Sequence, residues 1–281
     1  MLLNAPMLQK QLILDMCRFS RLVYFDKNEM IQRYDEDHDD ATTVLSKCKL
    51  SPVLLENTED YNDGQCYFSM YNSDGLLGFR GTENFRDWLS DFNVVRVRME
   101  TKGLPLATSP LVHFGFIRQY RTLDTQINKM VRKMIEEKNM QTVHVCGHSL
   151  GGALASIAAI QLHHEFPNLS IHCYTFGSPR PGDKTFAACF DRSVQSSYRF
   201  LNSRDPVTAT PTTWRFQHVS GGRWIYPDGM DDENRMTHWN RFWKILYHGF
   251  RSFLGRVDES LSSFHSIDQY FQDIESLWDG R

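Results

Sequence analysis

The stretch from Thr142 to Phe166, TVHVCGHSLGGALASIAAIQLHHEF, constrains the fold of this chain more than any other. It opens as a short apolar run, turns through Gly147-His148-Ser149-Leu150-Gly151, and continues as an Ala- and Leu-rich segment that stops before Pro167. The first part reads as a buried strand. The last part reads as a helix, because Ala and Leu are strong helix formers and Pro cannot continue one. The rest of the chain repeats this alternation. Residues 8–24 read as a first helix, 66–71 and 76–80 as a hairpin turning at Ser73-Asp74-Gly75, and 123–139 as a helix with Ile127, Met130, Val131 and Met134 at helical spacing. SIHCYTF (170–176) and YRFLN (198–202) read as further buried strands, and RFQHVSGGRWIY (215–226) as a hairpin turning at Gly221-Gly222. Strands alternating with helices predict an α/β fold, a mostly parallel central sheet with helices on both faces. No repeat or linker divides the 281 residues, so one domain spanning 1–281 is expected.

Gly147 to Gly151 fits G-x-S-x-G, and it has the strand, sharp turn and helix that the motif needs. Such a turn brings the serine backbone close to its neighbours, so the residues two before and two after must be small. The free N–H groups of the helix that follows would face a developing oxyanion. Ser149 is therefore the candidate nucleophile, against the plainer reading of a serine capping a glycine-rich helix. A serine hydroxyl needs a base, and the base needs an orienting carboxylate, in the chain order Ser, acid, His. Asp205 follows YRFLN and precedes Pro206, a strand-end position that its rivals Asp183 and Asp191 lack. Of the four histidines after Asp205, His218 falls in a predicted strand, and His238 and His248 fall on or beside an amphipathic segment. His265 precedes the last helix in a loop able to swing over the sheet edge. It is the candidate base, with His218 in reserve.

Several segments together resemble the class 3 lipases, the fungal triacylglycerol lipase-like branch of the α/β-hydrolases. They are GFRGT (78–82), DWLSDF (87–92), VHFGF (112–116), CGHSLGGALA (146–155), YTFGSPRPGD (174–183), LNSRDPV and FHSIDQYF, co-linear over about residues 10–272. The resemblance implies an α/β-hydrolase fold with Ser149, Asp205 and His265 as triad. It also implies an oxyanion hole from the backbone N–H groups of Thr82 and Leu150, helped by the Thr82 hydroxyl. NFRDWLS (84–90) matches the family's lid, where Phe85, Trp88 and Leu89 at i, i+3, i+4 form a short apolar face. Trp88 could equally pack into the core. Arg80 and Asp91 are a candidate pair at the lid base. Phe264-His265 stands where many members carry an Asp-His pair.

A net charge of −3 gives no ground for a nucleic-acid partner, and no apolar run is long enough to span a bilayer. HWNRFWKILYHGFRSFL (238–254) has an aromatic stripe beside basic residues. It is a candidate for peripheral contact with a lipid interface, or for covering the sheet or the acyl groove. The acidic run 35–40 lacks calcium-loop spacing and reads as a solvated loop. The start, MLLNAPMLQKQLILDMC, lacks a basic n-region. With six cysteines and no C-x-x-C, this leads to the expectation of free thiols in a cytoplasmic or leaderless soluble protein. The reading is a serine carboxylester hydrolase, a lipase acting on a lipid ester, with no metal or organic cofactor. The alternatives are a phospholipase or soluble-ester esterase on the same machinery, an acyltransferase, or a non-catalytic lipase-like interaction module.

Overall fold

Successive residues of one strand divide the interior into two layers. Val143 and Val145 belong to one buried cluster and Cys146 to another, as period-two alternation requires of a strand covered on both faces. The structure, a computed structural model, describes residues 7–26, 29–30, 40–56, 64–82, 95–211, 214–226, 229–232 and 263–279. Along the chain these form α1 (Met7–Leu22), β1 (Cys48–Glu56), β2 (Gln65–Tyr71), β3 (Asp74–Phe79), β4 (Arg96–Arg98), β5 (Leu111–His113) and α2 (Phe114–Lys138). There follow β6 (Thr142–His148), α3 (Leu150–Glu165), β7 (Ser170–Phe176), α4 (Lys184–Ser193), β8 (Ser196–Asn202), β9 (Gly222–Tyr226), β10 (Gly229–Asp232) and α5 (Ile267–Asp279).

The central sheet runs in the order β1-β2-β3-β6-β7-β8-β9-β10. Its middle, from β3 to β9, is parallel, and β1, β2 and β10 add antiparallel edges. β4 and β5 form a separate antiparallel ribbon. The mostly parallel sheet with helices on both faces is thus the expected one. α1 and α5 cover one face with Ile13, Phe19, Leu22, Tyr270 and Ile274. α2, α3 and α4 cover the other with Phe116, Leu154, Ile157 and Phe190. Twelve of the sixteen residues of α3 are buried, including Gly and Ala all round its first turns, so it is clamped between sheet and neighbours rather than lying on them. α2 begins nine residues before the expected start. His113 caps it by accepting from Gly115 N, and Phe116, Tyr120, Ile127 and Val131 keep one face buried.

One expectation is corrected. Residues 215–226 do not form a hairpin. Only 222–226 is a strand, and it lies parallel to β8, with Arg199 paired to Gly222 and Arg199 N donating to Gly221 O at 3.0 Å. Gln217 instead bridges to Gly182, and His218 lies in the connecting segment. The open edge of β8 offered a full ladder that a two-residue glycine turn could not match.

Candidate active site

Ser149 sits between β6 and α3 at φ 56° and ψ −129°, a left-handed conformation that costs a non-glycine residue about 1–3 kcal/mol. The surrounding backbone enforces it. Ser149 N donates to Phe176 O at 2.9 Å, tying the turn to β7. A Cβ on Gly147 would lie 2.3 Å from Gly151 O, and one on Gly151 would lie 2.2 Å from Phe79 O, so only glycine fits on either side. The serine side chain makes no capping bond to α3, which removes the plainer reading of a helix cap.

Its Oγ lies 2.7 Å from His265 Nε2. His265 Nδ1 lies 2.8 Å from Asp205 Oδ2, and all three residues are buried. The carboxylate can only accept, so Nδ1 carries the proton and Nε2 faces the serine as acceptor. Asp205 is held on both oxygens: Val207 N donates to Oδ1 at 2.9 Å and the Tyr270 hydroxyl to Oδ2 at 2.7 Å. Tyr270 in turn accepts from Asn202 N at 2.9 Å, which fixes the end of β8 to α5. Burial, and then the Asp205 charge, push the Tyr270 hydroxyl well above its usual pKa, so it remains a donor.

A second chain of contacts approaches from the opposite side. His148 Nε2 donates to the His265 backbone carbonyl at 2.6 Å, and its Nδ1 accepts from the Tyr24 hydroxyl at 2.8 Å. Because the carbonyl only accepts, this tautomer follows from the partners. Burial, reinforced by the facing His265, holds the His148 imidazole well below its usual pKa. Tyr24 reaches this point across Gly81, where a Cβ would stand 2.1 Å from the Tyr24 oxygen and 2.9 Å from His148 O. Thr82 follows Gly81, three residues past Phe79, the end of β3, which pairs with Gly147, and Leu150 follows Ser149.

The rival acids are engaged elsewhere. Asp183 caps α4 by accepting from Thr185 N and Phe186 N, and Asp191 accepts from Ser220 N. His218 Nε2 donates to Thr208 O at 2.7 Å. Arg80 Nη1 donates to Gln65 Oε1 at 3.0 Å, while its candidate partner Asp91 lies outside the described residues. So do Phe85, Trp88 and Leu89, the segment 238–254 and the acidic run before Asp40. Among the described residues no group of His, Cys, Asp and Glu is arranged to hold a metal ion, and no helix is long and apolar enough to cross a membrane. Tyr24, His148 and Tyr270 were not singled out by the sequence. Of the three, Tyr270 had a detectable signal, since Ile267, Tyr270 and Ile274 share the buried face of α5.

The model of the family described as Lipase (class 3) matches residues 76–214, about half of the chain. Curated relatives include the lipase of Rhizomucor miehei, 32% identical over 197 residues and covering 68% of this chain and 52% of that protein. The secreted mono- and diacylglycerol lipase LIP1 of Malassezia globosa is 34% identical over 142 residues, covering 50% of this chain and 45% of that protein. The chain spans about half the length of the curated relatives it matches. Among solved structures, the triacylglyceride lipase of Rhizomucor miehei matches with a TM-score of 0.65 at 25% identity, covering 80% of this chain and 83% of that one. Lipase II from Rhizopus niveus matches with a TM-score of 0.65 at 25% identity, covering 79% and 82%. The fold is the α/β-hydrolase fold of these structures.

The expectation of a cytoplasmic or leaderless soluble protein is overturned by the relatives. Those from Malassezia globosa, Fusarium solani and Penicillium cyclopium are named secreted lipases, which points to an extracellular setting. The six thiols that prompted the expectation are free, and five are buried. Burial pushes the Cys146 thiol up to about 12, which keeps it protonated and shielded.

Proposed function

We propose that this chain, which belongs to the class 3 lipase family, is a serine carboxylester hydrolase that cleaves acyl esters of glycerol outside the cytoplasm. The observation that carries the reading is the Ser149–His265–Asp205 line, with contacts of 2.7 and 2.8 Å. The relatives named mono- and diacylglycerol lipases support the substrate class. Ser149 Oγ attacks the ester carbonyl while His265 Nε2 takes its proton. The tetrahedral oxyanion is received by the N–H groups of Leu150 and Thr82, with the Thr82 hydroxyl as a further donor. His265 then protonates the leaving glycerol oxygen, and a water deprotonated by the same ring hydrolyses the acyl-enzyme. Asp205 keeps the ring in the required tautomer and faces the imidazolium. One domain over 1–281 carries this machinery, and 84–90, with Phe85, Trp88 and Leu89, is the lid that the family resemblance implies, outside the described residues.

The test is fatty-acid release from mono-, di- and triacylglycerol and from a soluble butyrate ester, by the wild type and a folded Ser149→Ala variant. The expected result is acylglycerol hydrolysis that falls by about a thousandfold or more in the variant. Equal inertness of both proteins on every ester would overturn the reading. Activity confined to the soluble ester would reject the lid and the lipid substrate but keep the hydrolase.

A further inference from the structure

Five large apolar side chains are exposed among the described residues, and three of them meet in one place. They are Trp214 at 74%, Phe114 at 46% and Val95 at 44% exposure. Phe114 N donates to Val95 O at 2.9 Å, joining the first turn of α2 to the residue before β4. Arg96, next to Val95, donates from Nη1 to Arg215 O at 3.0 Å, and its guanidinium lies 5.9 Å from the Phe216 ring. Arg215 lies over the neighbouring Trp214 ring at 4.1 Å. Three exposed apolar side chains are thus linked through the two guanidinium groups of Arg96 and Arg215.

Its charge is predominantly positive. The segments 95–99, 110–123 and 206–221 carry Arg96, Arg98, Arg118, Arg121 and Arg215, while Glu100, just past the first of them, pairs with Arg121 at 3.5 Å and leaves Arg96 and Arg215 as the cations beside the apolar side chains. In a chain of net charge −3 this is a local departure from the average. Its position is set by topology. Three residues separate the end of α2 from the start of β6, and the 25 residues of the helix span about 37 Å against about 23 Å for the strand. Phe114 therefore stands at the end of the sheet where β6 delivers Ser149. The segment bearing Trp214 and Arg215 leaves that same end at Asp205.

We propose that Val95, Phe114 and Trp214, with Arg96 and Arg215, form a docking surface for a lipid surface bearing anionic headgroups. Tryptophan and phenylalanine enter the headgroup–acyl boundary, while the arginines remain at headgroup level and pair with phosphate or carboxylate. Arg215 stacked on Trp214 presents both functions from one point. The inference rests on the proposed acylglycerol hydrolase and names the surface by which it meets its aggregated substrate, independently of the lid.

The test is co-sedimentation of the full chain with phosphatidylglycerol-containing vesicles and with pure phosphatidylcholine vesicles, neither containing acylglycerol. Wild type is compared with Trp214→Ser and Arg215→Ser. The expected result is binding to the anionic vesicles that weakens at high salt, about fivefold weaker for Arg215→Ser and at least as much weaker for Trp214→Ser. Hydrolysis of a soluble butyrate ester and the melting temperature report folding separately, so loss of the hydrolase reading leaves the binding result interpretable. Salt-independent binding, binding by both variants as tight as that of the wild type, or no preference for the anionic vesicles would overturn the proposal. So would a concentration-dependent dimer abolished by Trp214→Ser, which would assign the surface to a second copy of the chain.

Discussion

The ring of His148 lies 4.7 Å from that of His265, centroid to centroid, and its Nε2 donates to the His265 carbonyl at 2.6 Å. The residue before the proposed nucleophile therefore holds the backbone of the proposed base. A neutral ring keeps Nδ1 as acceptor for Tyr24, and it avoids a second imidazolium that would oppose the one formed on His265 during turnover. Burial enforces that neutrality. Tyr24 completes the arrangement from α1 and makes the first helix part of the site's support.

Replacing His148 with Phe keeps a ring in place but removes both hydrogen bonds. The His265 carbonyl loses its donor and the backbone carrying the base is free to shift. We expect kcat on a soluble ester to fall about tenfold or more while KM changes less than about twofold, the pattern of lost positioning rather than lost binding. Tyr24→Phe removes one bond further out and should fall less. Equal kcat in His148→Phe and wild type would remove His148 from the positioning role.

The same residue predicts how stability responds to acid. The folded-state pKa of His148 is depressed, by burial first and by His265 second. The unfolded chain accepts a proton near the ordinary imidazole value of about 6.5, and the folded chain refuses it. Stability from this group is complete above that pH and is lost as pH falls below it, by up to about 1.4 kcal/mol per pH unit. His164 and His172 are also lowered by burial and add slope of the same sign. Urea unfolding of wild type and His148→Phe from about pH 7.5 to 5.5 isolates the difference. A variant with the wild-type slope would contradict this assignment.

Tyr270→Phe isolates one hydroxyl, because the phenyl ring fills the same buried space. Asn202 N–H loses its acceptor and Asp205 Oδ2 loses a donor. Leaving such buried groups unpaired costs about 1–3 kcal/mol. Chemical denaturation should show that loss, with esterase activity reduced because the carboxylate orienting His265 has lost one of its holds. An unchanged midpoint would mean that water or a neighbour takes over both bonds.

What the sequence made legible was local. Ser149 stands in a five-residue motif between strand and helix, Asp205 at a strand end before proline, and His265 ahead of the last helix, each readable from its own neighbourhood. The supporting network was not readable in this way. Tyr24 meets His148 across 124 positions and Tyr270 meets Asp205 across 65. The acceptor for His148 is a backbone carbonyl, which any residue would supply, so residue type carries no trace of it. The stretch 215–226 was misread for a related reason. Alternation and a Gly-Gly pair look the same whether the strand folds back on itself or pairs with β8, and only the sheet already assembled decides.

Two opposed effects meet at Gly151, in the first turn of α3. Helix propensity alone favours alanine there by about 1 kcal/mol. Against it, the added methyl would lie 2.2 Å from Phe79 O, a backbone atom fixed in β3 and unable to rotate away. Overpacking against a rigid backbone costs about 1–3 kcal/mol or more, so sterics should win. Gly151→Ala is expected to lower stability by about 2 kcal/mol and to displace Ser149 from His265, abolishing most ester hydrolysis. Gly152→Ala provides the contrast. Its methyl would meet the Ser178 Cβ at 2.7 Å and the Gly147 O of β6 at 3.1 Å, a milder overlap than 2.2 Å against the Phe79 carbonyl, and the loss should be smaller. Thermal melts and butyrate hydrolysis of both variants decide the matter. A Gly151→Ala protein as stable and active as wild type would mean that α3 can move away from β3, contrary to the close approach that sets the serine's conformation.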